Sequence, residues 1–498
     1  MRKGMITMLD TLFIHACLIT QDAKRQIIPD GLLGVQEGHI VRVSPMGPDP
    51  LPAAKEIFDC HGGIVMPGLI DGHGHAGHPM TKHISTDTLN YWGRCAERIY
   101  FFYSTPDFWY YDALLSAMER VRFGVTTGIS VIANEPRADS LAIVQAHLRG
   151  YRQVGSRTIA GVGPGSNHWP KPLAQWDGHA LHRTTATWEE YLENTEVLLR
   201  TEHRANKDRQ RIFVTPFTIV PSLPTWGRCA PEIADHLTDF DRRQLHAVKT
   251  LAHKYDTSIH TDAFGNGIEL MASCEDALLG ENVLLQHCYD LNPREVALLA
   301  QTHTNVGHSP EQSNHYCPFT ELLQAGANAI ITSDGNGPRV TFDLFEHMRR
   351  AQDLEMLRLG RPDCLDAQTL LDSVTVHAAK ALRMDAQIGS LETGKRADLL
   401  LLDPESPHLR SARSPLELCV YAASGLDVHD VMVEGEFLLR SGHFTQVEEE
   451  TVLQKADELA KKTIEQAGLT RFICQAPAFD TLYQTFTSAP IPPPTREP

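Results

Sequence analysis

Two histidines one residue apart, His73-Gly74-His75, close the apolar run Val65-Met66-Pro67-Gly68-Leu69-Ile70-Asp71-Gly72. In an extended strand residues i and i+2 share a face, so both imidazoles project the same way. Three later apolar runs also end in groups that bind cations or move protons. Thr257-Ser258-Ile259 ends in His260, Val283-Leu284-Leu285-Gln286 ends in His287, and Ala329-Ile330-Ile331-Thr332-Ser333 ends in Asp334 followed by Gly335. Each histidine alone reads as a hydrogen-bonded core or loop residue. The set reads as a metal site, because imidazole and carboxylate are the donors that zinc or ferrous iron accepts. A divalent ion lowers the pKa of a bound water from about 15.7 to about 7, which makes hydrolysis at an electrophilic carbon the expected chemistry.

Those residues need a scaffold that brings distant strand ends to one rim. Between residues 68 and 383, short β-type runs alternate with longer helical patterns. Strands are predicted at 64–70, 124–131, 157–162, 211–220, 257–262, 282–288, 305–308 and 329–333, with helices over 106–123, 187–203 and 239–255. Eight strands alternating with helices imply a parallel sheet closed as a (β/α)8 TIM-like barrel, whose active sites sit at the C-terminal strand ends. An open dinucleotide-binding sheet would want a Gly-x-Gly-x-x-Gly turn; Gly161-Val162-Gly163-Pro164-Gly165 lacks that spacing. Hairpin patterns occur at both ends, around Gln36-Glu37-Gly38-His39 and Val433-Glu434-Gly435-Glu436. They are predicted to form one small β-sandwich domain built from both chain ends. The expected division is 1–67 and 384–445 for that domain, 68–383 for the barrel, and 446–498 for a C-terminal helix with a proline-rich tail.

Composition narrows the partners. Acidic residues outnumber basic ones 62 to 45, a formal charge of −17. That balance speaks against nucleic acid and against anionic membrane surfaces, and for a small-molecule substrate. No apolar run reaches the roughly 18 residues needed to span a bilayer. Ten cysteines without a C-x-x-C pair suit reduced thiols in the cytoplasm.

The motifs together resemble the amidohydrolase superfamily, in the branch of triazine chlorohydrolases and aminohydrolases, guanine deaminase and adenosine-type deaminases. Supporting stretches are Met66 to His75, Leu285-Gln286-His287-Cys288, Val306-Gly307-His308-Ser309-Pro310 with Ser313-Asn314, Thr332-Ser333-Asp334-Gly335, Phe345-Glu346-His347-Met348-Arg349 and Ile388 to Leu399. The resemblance implies one divalent metal, zinc or else iron, held by His73, His75, His260 and Asp334. It implies that Asp334 also takes the water's proton and that His287 sits beside the reacting carbon. Residues 211–220 contain no lysine, so a single metal is expected rather than a lysine-bridged pair. A homo-oligomer is expected.

Two departures bear on the reaction. Members of this branch carry His-x-x-Glu after the fifth strand; here the run is His260-Thr261-Asp262-Ala263. Asp262 shares a face with His260 along a regular strand and stands as a substrate-binding candidate. The fourth strand reads Phe217-Thr218-Ile219-Val220-Pro221-Ser222 where relatives often read His-Ala-Pro-Tyr. His308, at the end of the seventh strand, is a second pocket-lining candidate, and His287 a third. His78, Lys82, His83 and Arg339 are loop residues that could meet an anionic group, although solvated surface is the commoner outcome. Cys288 follows His287 and is expected to point away from the site. The reaction expected is hydrolysis of a non-peptide C–N bond in a small cyclic compound, by deamination or amine release. Its rivals are opening of a cyclic amide, as in imidazolonepropionase-like members, and a non-catalytic binding protein on the same fold.

Overall fold

The computed structural model describes residues 8–82, 84, 89–165, 169–177, 179–222, 236–310, 316–337, 340–402, 406–410 and 414–470. His83, Ser313, Asn314, Arg339 and the proline-rich end lie outside them. Eight parallel strands run in the order Leu69–Asp71, Val125–Ile132, Arg157–Val162, Gln210–Val214, Ile259–Phe264, Val283–Tyr289, Asn305–His308 and Ala329–Ile331. A parallel bridge between Gly74 and Asp334 joins the last strand back to the first and closes the ring. These strands are rich in Val, Ile, Leu and Thr and almost wholly buried, as expected of a parallel sheet covered by helices. Helices Pro106–Arg122, Trp188–Glu202 and Asp239–Lys254 begin at threonine caps, Thr105, Thr187 and Thr238, whose hydroxyls accept a backbone N–H three residues on. The last two close full capping boxes with Glu190 and Asp241.

A second, mixed sheet of nine strands draws on both chain ends. Its strand Ile64–Pro67 pairs parallel with Leu9–Ile19 and antiparallel with Leu399–Leu402, and the outer hairpins follow on either side. The Phe437 ring lies 6.1 Å from that of Phe13 and 6.0 Å from that of Phe58, over a core that includes Leu33, Val65 and Leu399. The C-terminal helix Glu449–Gln466 buries Val452, Ala456 and Ile464, and its Glu449 pairs with Arg122 at 2.8 Å.

Three expectations need correction. Residues 64–70 form two strands rather than one. The chain leaves the small sheet at Pro67 and enters the barrel at Leu69, turning at Gly68, whose N–H donates to Asp398 O. A Cβ at Gly68 would sit 2.2 Å from Thr126, so only glycine fits this crossing. The fourth barrel strand ends at Val214, ahead of Pro216, and not at Val220. A hairpin, Lys171–Trp176 with Leu181–Ala186, interrupts the alternation after the third strand and has no counterpart in the predicted pattern.

Candidate active site

The two imidazoles of the first strand are fixed by backbone, not by regular extension. His75 lies in the two-residue strand His75–Ala76, which pairs with Val131 and Ile132. Its Nδ1 is 2.7 Å from Ala133 O, a carbonyl that can only accept, so the proton sits on Nδ1. Nε2 therefore turns a lone pair toward Asp334 Oδ1, 3.1 Å away. His260 behaves alike. Its Nδ1 faces Leu284 O at 3.2 Å, which leaves Nε2 to accept from His73 Nδ1 at 2.7 Å. His73 Nε2 is then a lone pair as well. It is buried, has no hydrogen-bond partner, and lies 3.2 Å from Asp334 Oδ1. With neutral rings, ring lone pairs thus face one carboxylate in a buried space. A cation resolves that arrangement, and the donor set fits a divalent metal.

Burial strongly disfavours charge on these rings. It holds His73 and His260 below the ordinary imidazole value. At His75 burial is overridden by the Asp334 carboxylate, which raises it. Burial alone would raise Asp334, but His73 and His75 hold it well below the carboxylate range. Asp334 follows the strand Ala329–Ile331 in the left-handed region, φ +62°, which aspartate tolerates. Its Oδ1 accepts from Gly335 N–H at 2.7 Å, and its own N–H donates to His73 O at 3.0 Å.

His287 is aimed by a bulge. His287 and Cys288 both have positive φ, +68° and +48°, and the register against Ala263 and Phe264 skips one residue there. The imidazole stacks on Phe264 at 6.0 Å, with Nδ1 3.2 Å from Tyr289 Oη and Nε2 3.7 Å from Asp262 Oδ1. Burial raises the Asp262 carboxyl and lowers the His287 imidazole. Two triads of ligand atoms converge and share one ring: His73 with His75 and Asp334, and His73 with Asp262 and His287. The small cavity beside them is walled by Val131, Asn134, Pro136, Pro216 and Phe217.

The other candidates separate from this cluster. His308 packs against Phe319 at 5.8 Å, has an unpartnered Nδ1, and is pushed down to about 3 by burial; it belongs to neither triad. His78 stacks flat on His75 with ring centres 5.0 Å apart and meets Asn134 Oδ1 at 2.7 Å, so it braces a neighbouring ring. Lys82 is engaged by Glu119 at 3.5 Å. Cys288 is fully buried, near Leu285 O, and joins neither triad. The sequence pattern does not single out Asn134 or Asp71. Asp71 stands inside the first motif, but nothing in its spacing signals a partner.

Comparison with known proteins agrees with the fold. An adenosine deaminase from Xanthomonas campestris with bound zinc superposes with a TM-score of 0.74 at 20% identity, covering 91% of this chain and 98% of that one. An atrazine chlorohydrolase from Arthrobacter aurescens complexed with zinc gives 0.74 at 17% identity over 90% of this chain and all of that one. In sequence, the chain is 28% identical over 469 residues to a 5-methylthioadenosine/S-adenosylhomocysteine deaminase of Nitratidesulfovibrio vulgaris, covering 92% of this chain and 99% of the relative. It is 23% identical to a 5'-deoxyadenosine deaminase of Methanosarcina mazei, over 92% and 99%. Residues 64–438, which span the barrel and its return into the small sheet, match the sequence pattern of the amidohydrolase family. The chain belongs to the amidohydrolase family.

Proposed function

We propose that this protein is a metal-dependent hydrolase that cleaves a non-peptide C–N bond of a small cyclic compound, by deamination of an amino-substituted nitrogen heterocycle. The observation that carries the reading is the convergence of the His73 and His75 Nε2 atoms on the Asp334 carboxylate at the C-terminal rim of the barrel, with His260 Nε2 beside them, 2.7 Å from His73 Nδ1 and outside both triads. Those four residues would hold one divalent ion, and zinc is favoured because two of the similar solved structures contain it. When bound, such an ion supplies Lewis acidity and brings a water's pKa to about 7.

The protein's own groups do the rest. Asp334 accepts the attacking water's proton at a carboxylate oxygen and can return it to the departing amine. His287 presents Nε2 toward the same space and stabilises charge developing at the attacked carbon. Asp262, held protonatable by burial, can place a proton on the substrate ring. Phe217 and Pro216 close one side with apolar surface and exclude water. The relatives named as deaminases of adenosine-type compounds support a purine-like amine as substrate class. A second reading, opening of a cyclic amide, is favoured by Ala263, which leaves no carboxyl group at the third position after His260. A cytoplasmic location is supported by cysteine usage: Cys17, Cys60, Cys288, Cys317 and Cys419 are buried free thiols.

The test is metal analysis of the purified protein together with ammonia release over a panel of heterocyclic amines. We expect about one metal per chain, and ammonia with the ring intact. Acid products without ammonia would select ring opening. His73→Ala and Asp334→Ala are each expected to abolish turnover with circular dichroism unchanged; full activity in either would refute the assignment.

A further inference from the structure

The candidate metal centre straddles the joint between the first and last strands of the barrel. His73 and His75 follow the first strand and Asp334 follows the last, and these two strands are three residues each. Across their seam the described backbone contacts are the Gly74–Asp334 bridge and the bond from Asp334 N–H to His73 O. A side chain makes up the deficit. Asp71 is fully buried, and it accepts from both sides of the seam. Oδ1 takes Ser333 N–H at 3.0 Å and faces His73 N at 3.5 Å; Oδ2 takes Ser333 Oγ–H at 2.6 Å and Arg120 Nη2 at 2.9 Å.

Arg120 reaches this point from the helix Pro106–Arg122 and is itself 1% exposed. Its Nη2 also donates to Ile129 O at 2.8 Å. Nη1 donates to Ser130 Oγ at 2.9 Å and Tyr151 Oη at 2.6 Å, and the guanidinium lies 4.2 Å from the Phe342 ring centre. Every lone-pair direction of Asp71 is thereby committed to a donor. A carboxylate two residues from His73 would otherwise be a rival ligand and an uncompensated buried charge. Gly74, between the two histidines, makes room for this cation: a Cβ there would sit 2.3 Å from Arg120 Nη2.

We propose that Asp71 and Arg120 form a positioning pair that sets the distance between the His73 and Asp334 arms of the metal centre. The proposal rests on the metal reading given above. Asp71 supplies the cross-seam bonds, and Arg120 keeps its charge balanced and its oxygens away from the ion. Neither residue touches the ion or the substrate. Outer partners of this kind typically contribute 10–100-fold to metal affinity.

The experiment measures zinc affinity of the full chain by competition with a chromophoric chelator, and the visible spectrum of the cobalt(II)-loaded protein. Urea denaturation of the metal-free protein runs alongside. Asp71→Asn and Arg120→Met are expected to weaken zinc binding 10–100-fold and to alter the cobalt spectrum. Arg120→Lys keeps the charge without the planar fork and is expected to fall between Arg120→Met and wild type. Ser333→Ala leaves the ion pair intact and removes one cross-seam bond; we expect a several-fold loss of affinity. It decides the matter should the buried-charge variants fail to fold. Wild-type zinc affinity and cobalt spectrum in Ser333→Ala, or in folded Asp71→Asn, would overturn the proposal and leave the pair a purely structural clamp. Failure of the wild-type chain to bind zinc or cobalt at one equivalent is a different result: it removes the metal reading itself, and this proposal with it.

Discussion

Asp262 is the side chain on which the type of reaction turns. Deamination of a nitrogen heterocycle needs a proton delivered to the ring, and Ala263 has no group to deliver it. Asp262 has such a group, raised by burial and 3.7 Å from His287 Nε2. Asp262→Asn keeps the shape and removes the acidic proton. Its kcat is expected to fall by about 10²–10⁴-fold, the usual contribution of one acid–base group, with metal content unchanged. Steady-state kinetics and metal analysis on one preparation check this. Unimpaired kcat would leave only a reaction that needs no ring protonation. That Asp262 shares a side with His260 is legible in the sequence, because the strand period is two. The aim of His287 is not legible, because it depends on two consecutive left-handed residues that no apolar pattern marks.

At the scale of elements, the sequence shows strands well where they are buried on both faces and poorly where they are not. Continuous runs such as residues 157–162 and 282–288 read directly as barrel strands. The hairpin Lys171–Trp176 with Leu181–Ala186 escapes the sequence pattern, since Leu181-His182-Arg183-Thr184-Thr185-Ala186 offers little apolar surface to fold against. The break at Gly68 is invisible for the opposite reason: both of its flanks are apolar and belong to different sheets. Loop geometry after the last strand also escapes sequence reading, and it bears on the site. A Cβ at Gly335 would lie 1.9 Å from Cε1 and Nδ1 of His78. That ring is wedged between His75 at 5.0 Å and Trp92 at 4.6 Å and is not free to step aside. Gly335→Ala is therefore expected to cost about 1–3 kcal/mol in urea denaturation, the usual penalty of overpacking, and to lower metal affinity by displacing His75. A variant with unchanged unfolding midpoint and full metal content would show that the His78 brace is soft.

Over the whole molecule, the barrel and the small sheet are joined beneath the site by a buried ion pair. Arg157 opens the third barrel strand, is fully buried, and lies 3.2 Å from Asp398 Oδ2, just before the strand Leu399–Leu402 of the other sheet. Its Nη1 donates to Asp208 O at 3.0 Å, while Asp398 Oδ1 accepts from Glu434 N–H at 2.9 Å. The same Asp398 carbonyl takes the Gly68 N–H at the crossing between sheets. One residue thus ties together the crossover, the return strand and the bottom of the barrel. Removing one partner of a buried pair leaves an uncompensated charge and typically costs about 3–5 kcal/mol, whereas replacing both by apolar groups is often close to neutral. Arg157→Met is accordingly expected to lose about 3–5 kcal/mol in urea, and Arg157→Met with Asp398→Leu to recover part of that loss. The recovery is expected to be incomplete, because the Glu434 N–H loses its acceptor in the double variant. Since the pair lies at the opposite end of the barrel from Asp334, metal content of the folded variants should match wild type. A single variant as stable as wild type would mean that the remaining contacts, the ion pairs of Arg209 with Glu434 and Glu436 among them, hold the two sheets together, and that the motif Ala397-Asp398-Leu399 is there for some other reason.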